Sequence, residues 1–242
     1  MPVIRALGAT VEVDLGDAVD PAEFAAAWSR CLLGEGETAH MEPTAVAGPR
    51  PTMTSLTQAI THELISQRRG ELLMLHGGAV CNPRTGDSIA YVAPGGTGKT
   101  TLSRLLGKRF GYLTDETVGV DPATRRIHAY PKPLSIRTPD GGYPKRERSP
   151  DELGLVHAHT DPHLTTLALL RRSSDRPGAA MTRLDLFDAI TLLAPETSSL
   201  SALDRPLHVL ADLERAVGGI WLLEYSEAEH ILDWVADRLG ER

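Results

Sequence analysis

Only two cysteines, Cys31 and Cys81, occur in the 242 residues. They cannot build a disulfide framework or a cysteine zinc cluster, and read as free thiols of a reducing compartment. Positive charge is not in excess: 25 Lys and Arg face 32 Asp and Glu, for a net charge of −7. The overall basic footprint of a nucleic-acid-binding protein is therefore missing. No apolar run approaches the ~20 residues of a membrane span, and residues 1–17 lack the apolar core of a signal peptide. These absences predict a soluble, cytoplasmic protein with neither nucleic acid nor membrane as partner. Assembly into a homo-oligomer is left open. What is present is ordinary globular composition, 41% hydrophobic and 24% charged. At ~100–200 residues per domain, the length suits one domain or one with a small appendage.

The first 70 residues read as a small N-terminal α/β module. Residues 3–14 alternate like a strand or hairpin. Asp20-Pro21 marks a helix start, with helical spacing over 21–33. Residues 34–53 read as a Gly-, Pro- and Thr-rich connector. A helix over 55–69 places Leu56, Ile60, Leu64 and Ile65 on one face. From Leu72 the pattern changes. LLMLHGGAV and SIAYVA read as strands, PGGTGKT as a loop and TLSRLLGKRF as a helix. GYLTDETVGVD and IHAYPKPLSIR read as further strands, residues 138–151 as a mobile polar loop, and HLTTLALLRR as a strand. Helices are expected over 182–194, 204–217 and 227–239, with WLLEYS as a strand between the last two. Strands alternating with helices over 71–242 predict a mixed α/β sheet with flanking helices.

The informative stretch is Ala93-Pro94-Gly95-Gly96-Thr97-Gly98-Lys99-Thr100-Thr101. It fits the G-x-x-x-x-G-K-[ST] phosphate loop, with Ala93 in place of the first glycine. Gly95, Gly96 and Gly98 let backbone N–H groups approach a phosphate chain closely. The helix that follows turns its N-terminus toward the anion. Lys99 reaches the β- and γ-phosphates and the Thr100 hydroxyl suits Mg²⁺; Thr97 and Thr101 complete the nucleotide-facing set. Pro94 has no N–H to offer.

Asp115 and Glu116 end a short strand 16 residues after Lys99. One carboxylate of such a pair can hold Mg²⁺ and the other can accept a proton from an attacking hydroxyl. His76 lies on an apolar strand and is followed by Gly77 and Gly78. Glycine inside a strand often marks close approach by a ligand or another backbone. Three further features stay outside this set. His157, His159 and His163 read as a polar loop rather than a zinc site. The basic run 145–148 reads as solvated surface or a clamp. Arg171 and Arg172 end a strand, and one of them is placed to face phosphates.

The segments His76-Gly77-Gly78-Ala79-Val80, Gly95 to Thr100, and Leu113-Thr114-Asp115-Glu116 together resemble the core of the HPr kinase/phosphorylase family. That family shares its core with the ATP-dependent phosphoenolpyruvate carboxykinases. The resemblance covers residues 70–137 well and the remainder more loosely. It extends at least as well to short relatives that include kinases of lasso-peptide precursors. It implies a P-loop kinase fold that uses ATP and Mg²⁺ to phosphorylate a serine of a peptide or small protein. It further implies Asp115 as base, Glu116 as metal-side acid with Thr100, and His76 as a pocket residue. The N-terminal 70 residues depart from the bifunctional members. The family's glycine-arginine loop has only a loose counterpart at Met181-Thr182-Arg183. A small-molecule hydroxyl kinase, a nucleotide-binding regulatory module and a carboxykinase-type lyase are the rival readings.

Overall fold

The structure, a computed structural model, describes residues 1–34, 44–46, 51–137, 146–173 and 178–240. The chain divides into two compact units. One is Met1–Arg69 with Ala129–Gly154, and the other is Gly70–His128 with Leu155–Arg242.

The first unit begins with strands β1 (Val3–Ala6) and β2 (Ala9–Val13), paired antiparallel. Leu7 and Gly8 form the two-residue turn, both at positive φ (52° and 73°), as the tightest hairpins require. Helix α1 (Pro21–Ala27) starts where expected: Asp20 accepts from the Ala22 N–H at 2.7 Å, and proline fills the first turn. Inside the expected connector, Thr44–Val46 forms β3, parallel to β2; residues 35–43 and 47–50 lie outside the described residues. Helix α2 (Met53–Gln67) starts two residues early because Thr52 and Ser55 cap it reciprocally. It buries Leu56, Ile60 and Leu64.

The second unit opens with β4 (Leu73–Cys81) and β5 (Asp87–Val92), antiparallel to each other. Helix α3 (Lys99–Leu106) follows, then β6 (Gly111–Thr114), β7 (Thr117–Val120) and β8 (Ile127–His128). The strand expected over 127–137 does not continue. Pro131 and Pro133 interrupt it, and proline cannot donate to a ladder.

Beyond His128 the chain returns to the first unit. Strands β9 (Leu134–Ile136) and β10 (Arg146–Arg148) pair antiparallel there. Residues 138–145, the first part of the expected loop, lie outside the described residues. Tyr130 anchors this return: it is fully buried, its ring lies 6.3 Å from that of Trp28, and its hydroxyl is 2.7 Å from Thr61 Oγ1. The chain passes between the two units three times, after residues 69, 128 and 154.

The chain re-joins the second unit with β11 (His163–Arg172), the edge strand β12 (Ala179–Arg183) and helix α4 (Leu186–Leu193). The single helix expected over 182–194 is thus a strand end and a helix, divided where Asp185 caps α4 by accepting from the Asp188 N–H at 2.9 Å. A 3₁₀ turn, Ala194–Glu196, leads to β13 (Thr197–Ser198). A 3₁₀ turn at Leu200–Ala202, helix α5 (Pro206–Ala216), strand β14 (Ile220–Tyr225), a third 3₁₀ turn (Ala228–Ile231) and α6 (Leu232–Arg238) complete the unit. The main path of the sheet runs β12-β14-β11-β5-β4-β7-β8, with β6 and β13 also pairing with β4. Strands β5, β11 and β14 are mutually parallel and the others antiparallel to their neighbours, so the sheet is mixed. Tyr91, Ala168 and Leu223 on one face pack with Leu102 and Leu106 of α3 and Val235 of α6. No described helix is long and apolar enough to cross a membrane.

Candidate functional site

The site grows from the end of β5. Its last residue, Val92, is buried, and residues 93–98 turn the chain into α3. Gly96 and Gly98 sit at φ +83° and +101°, where a side chain would strain the backbone. A Cβ added at Gly95, Gly96 or Gly98 would meet nothing within 4 Å, so the loop presents bare backbone to open space. Thr97 closes the loop by donating to the Pro94 carbonyl at 2.8 Å. Lys99 is only 7% exposed; its ammonium donates to the carbonyls of Ala93 and Pro94. Burial pushes the Lys99 pKa down, against the upward pull of Glu196, Asp115 and Glu116.

Strand β6 carries the acids to this loop. Thr100 Oγ1 donates to Asp115 Oδ2 at 2.7 Å, and the Tyr112 hydroxyl donates to Asp115 Oδ1 at 3.0 Å. Asp115 is buried and Glu116 half-buried. The backbone carbonyl of Glu116 accepts from the Gly77 N–H at 3.1 Å. Burial and the nearby Lys99 charge push the His76 pKa down, so its ring is neutral at neutral pH. The structure therefore brings His76, Lys99, Thr100, Asp115 and Glu116 to one end of the sheet, while Thr101 stands exposed on the first turn of α3.

Of the two causes expected for the strand glycines, the close approach of another backbone holds at Gly77. A Cβ at Gly77 would lie 2.5 Å from the Tyr91 carbonyl oxygen, and one at Gly78 would strike the Tyr91 ring and Ser103 Oγ. Tyr91, hydrogen-bonded to Ser103 at 2.6 Å, needs that space.

The site's other flank is a cleft of about 580 Å³ between Gly95–Thr97 and the ends of β11 and β14. Arg171 and Arg172 line it, each tied to an acid: Arg171 to Glu224 at 3.3 Å and Arg172 to Glu227 at 3.0 Å. Glu196 lines it too and makes no hydrogen bond or ion pair among the described residues. Sequence reasoning missed Glu196. Its place depends on the pairing of Thr197 with Leu75, which sets it beside the strand that carries His76. A two-residue strand leaves no periodic signal.

Among the described residues, no group of three or more His, Cys, Asp and Glu side chains could hold a metal ion. His163 Nδ1 instead lies 3.1 Å from the Asp161 carbonyl, and the His159 N–H donates to Cys81 Sγ. A Mg²⁺ ion needs fewer protein ligands, because it keeps several waters and takes phosphate oxygens. The Thr100–Asp115 pair fits that requirement. No family model matches the chain, and no curated protein matches it.

Proposed function

We propose that the protein is an ATP- and Mg²⁺-dependent kinase with a P-loop core like that of the HPr kinases. Its acceptor is a hydroxyl, a serine of a peptide or small protein. One observation carries this reading: the bare glycine loop at the head of α3 ends in a threonine hydroxyl already bonded to a carboxylate from the next strand. A structural turn requires no such pair, whereas a Mg-phosphate site does.

The loop amides and Lys99 bind and orient the phosphates. Mg²⁺, held on the side of Thr100 and Asp115, neutralises charge on the phosphates when bound. Asp115 accepts two hydrogen bonds and is committed to that side. Glu116, half-exposed and next in the chain, is then the carboxylate that takes the acceptor proton. This exchanges the two roles that the family resemblance gives. His76 lies opposite Thr117 in the β4–β7 ladder, next to Glu116.

Three variants test the reading. Lys99→Ala should raise the barrier to transfer by about 3 kcal/mol. Asp115→Asn should lose Mg-dependent nucleotide binding. Glu116→Gln should keep binding while transfer to a serine peptide falls by roughly 10²–10⁴-fold, the range for a lost general base. If Asp115→Asn binds normally and only transfer is lost, the two acids keep the roles of the resemblance. If the native protein binds MgATP and transfers phosphate to no hydroxyl, it is a binding module and the kinase reading falls.

A further inference from the structure

Strand order sorts the ends of whatever the loop holds. Acid and metal-side hydroxyl lie toward β4 and β6, on one side of β5. The 580 Å³ cleft lies on the other side, at the ends of β11 and β14. Its volume falls within the range of small-molecule pockets. Val92, Leu169 and Leu222 occupy matched register positions on three parallel strands and form an apolar floor. Leu192 of α4 adds an apolar wall. An inorganic phosphate chain has no use for such a floor, whereas a flat heterocycle with its sugar does. Two of the three charged side chains in the cleft, Arg171 and Arg172, are held by Glu224 and Glu227. The third, Glu196, is bonded to nothing among the described residues. An ionised carboxylate has two oxygens and only accepts, so it is complemented by two adjacent donors.

We propose that this cleft seats the nucleoside half of the phosphate donor, and that Glu196 selects it by accepting from a pair of adjacent donors. Two sources supply such a pair: the ribose diol of any nucleotide, or the N1–H and N2–H edge of guanine. The proposal rests on the phosphate-loop reading and adds to it a seat for the part of the ligand that the loop does not touch.

Calorimetry with the full chain and Mg²⁺ decides it, using ATP, 2′-deoxy-ATP, GTP, ITP and inorganic tripolyphosphate as probes. ATP should bind more tightly than tripolyphosphate. Glu196→Gln should weaken the preferred nucleotide on the order of 10- to 100-fold, the range for a hydrogen bond to a charged group, and leave tripolyphosphate unchanged. Leu192→Ser, at a position 37% exposed and so tolerant of change, should have the same selective effect. Weaker binding of 2′-deoxy-ATP than ATP assigns the ribose; weaker binding of ITP than GTP assigns the guanine edge. If ATP and tripolyphosphate bind equally and Lys99→Ala weakens both, the loop reading stands and the nucleoside seat is wrong. If Glu196→Gln weakens tripolyphosphate as much as nucleotide, Glu196 acts on the loop and not in the cleft. If no probe binds, the loop reading fails and takes the cleft with it.

Discussion

Tyr91 shows how a buried side chain can dictate its neighbours' identities. Its ring fills the space that a Cβ on Gly78 would need, and its carbonyl does the same to Gly77. Gly78→Ala should therefore destabilise the protein by ~1–3 kcal/mol, the usual cost of overpacking. Thermal denaturation measures this, and a melting temperature equal to that of the native protein would show that Tyr91 can move aside. The glycine pair was legible in the sequence, and so was backbone approach as one cause; that a tyrosine ring claims the space at Gly78 was not, because it depends on side-chain packing. The glycine loop and the helix after it were legible, since glycine at positive φ and a following helix are both local properties. Asp115 and Glu116 were legible as a pair, but which of them Thr100 bonds depends on side-chain geometry across two elements. The cysteines behave as their scarcity suggests: both are free and buried. Burial pushes both thiols above the ordinary range, outweighing the pull of Lys132 and Arg30 on Cys31. A raised pKa keeps the thiol protonated at pH 8, and the thiolate is the reactive form. An Ellman titration at pH 8 should find almost no reactive thiol in the native protein and two in guanidinium chloride. Rapid reaction of either thiol in the native state would contradict this.

Some elements carry a start signal and others do not. Helix α1 announces itself through Asp20-Pro21, whereas α2, expected from Ser55, is started two residues earlier by the Thr52 and Ser55 exchange. Removing that exchange should be felt locally. Thr52→Ala costs about 1 kcal/mol by loss of an N-cap, read as a lower urea midpoint. A shift within error would mean that water replaces the threonine. Strands β12 and β13 carry no comparable signal. Ala179–Arg183 is an edge strand with no buried residue, so its sequence shows no alternation. β13 is too short for a period, yet its pairing with β4 brings Glu196 into the cleft. The α/β class and the alternation of elements could be read in advance. The β4 crossroads, where β5, β6, β7 and β13 all pair, is a product of long-range register.

At the scale of the molecule, the first unit is made of two separated stretches of chain. Residues 129–154 belong with the first 69, and Tyr130 is buried with Trp28 and Thr61 as evidence of it. A fragment of residues 70–242 would carry this segment without its counterpart. It should bind a hydrophobic dye and aggregate at concentrations where the full chain stays clear. A clear, dye-silent fragment would show that residues 129–154 need no partner.

This interleaving also sets a schedule for the ribosome. When Arg69 emerges, the first unit still lacks its last piece, and the chain must grow to Gly154 before that piece exists. At ~5–20 residues per second those 85 residues take roughly 4–17 s. For the first 61 of those residues, until Tyr130 emerges, the face of Trp28 that receives it lacks that ring, while the strands that flank the glycine loop are still arriving. The nascent protein therefore passes through a window of exposure that neither unit, taken as a finished object, reveals.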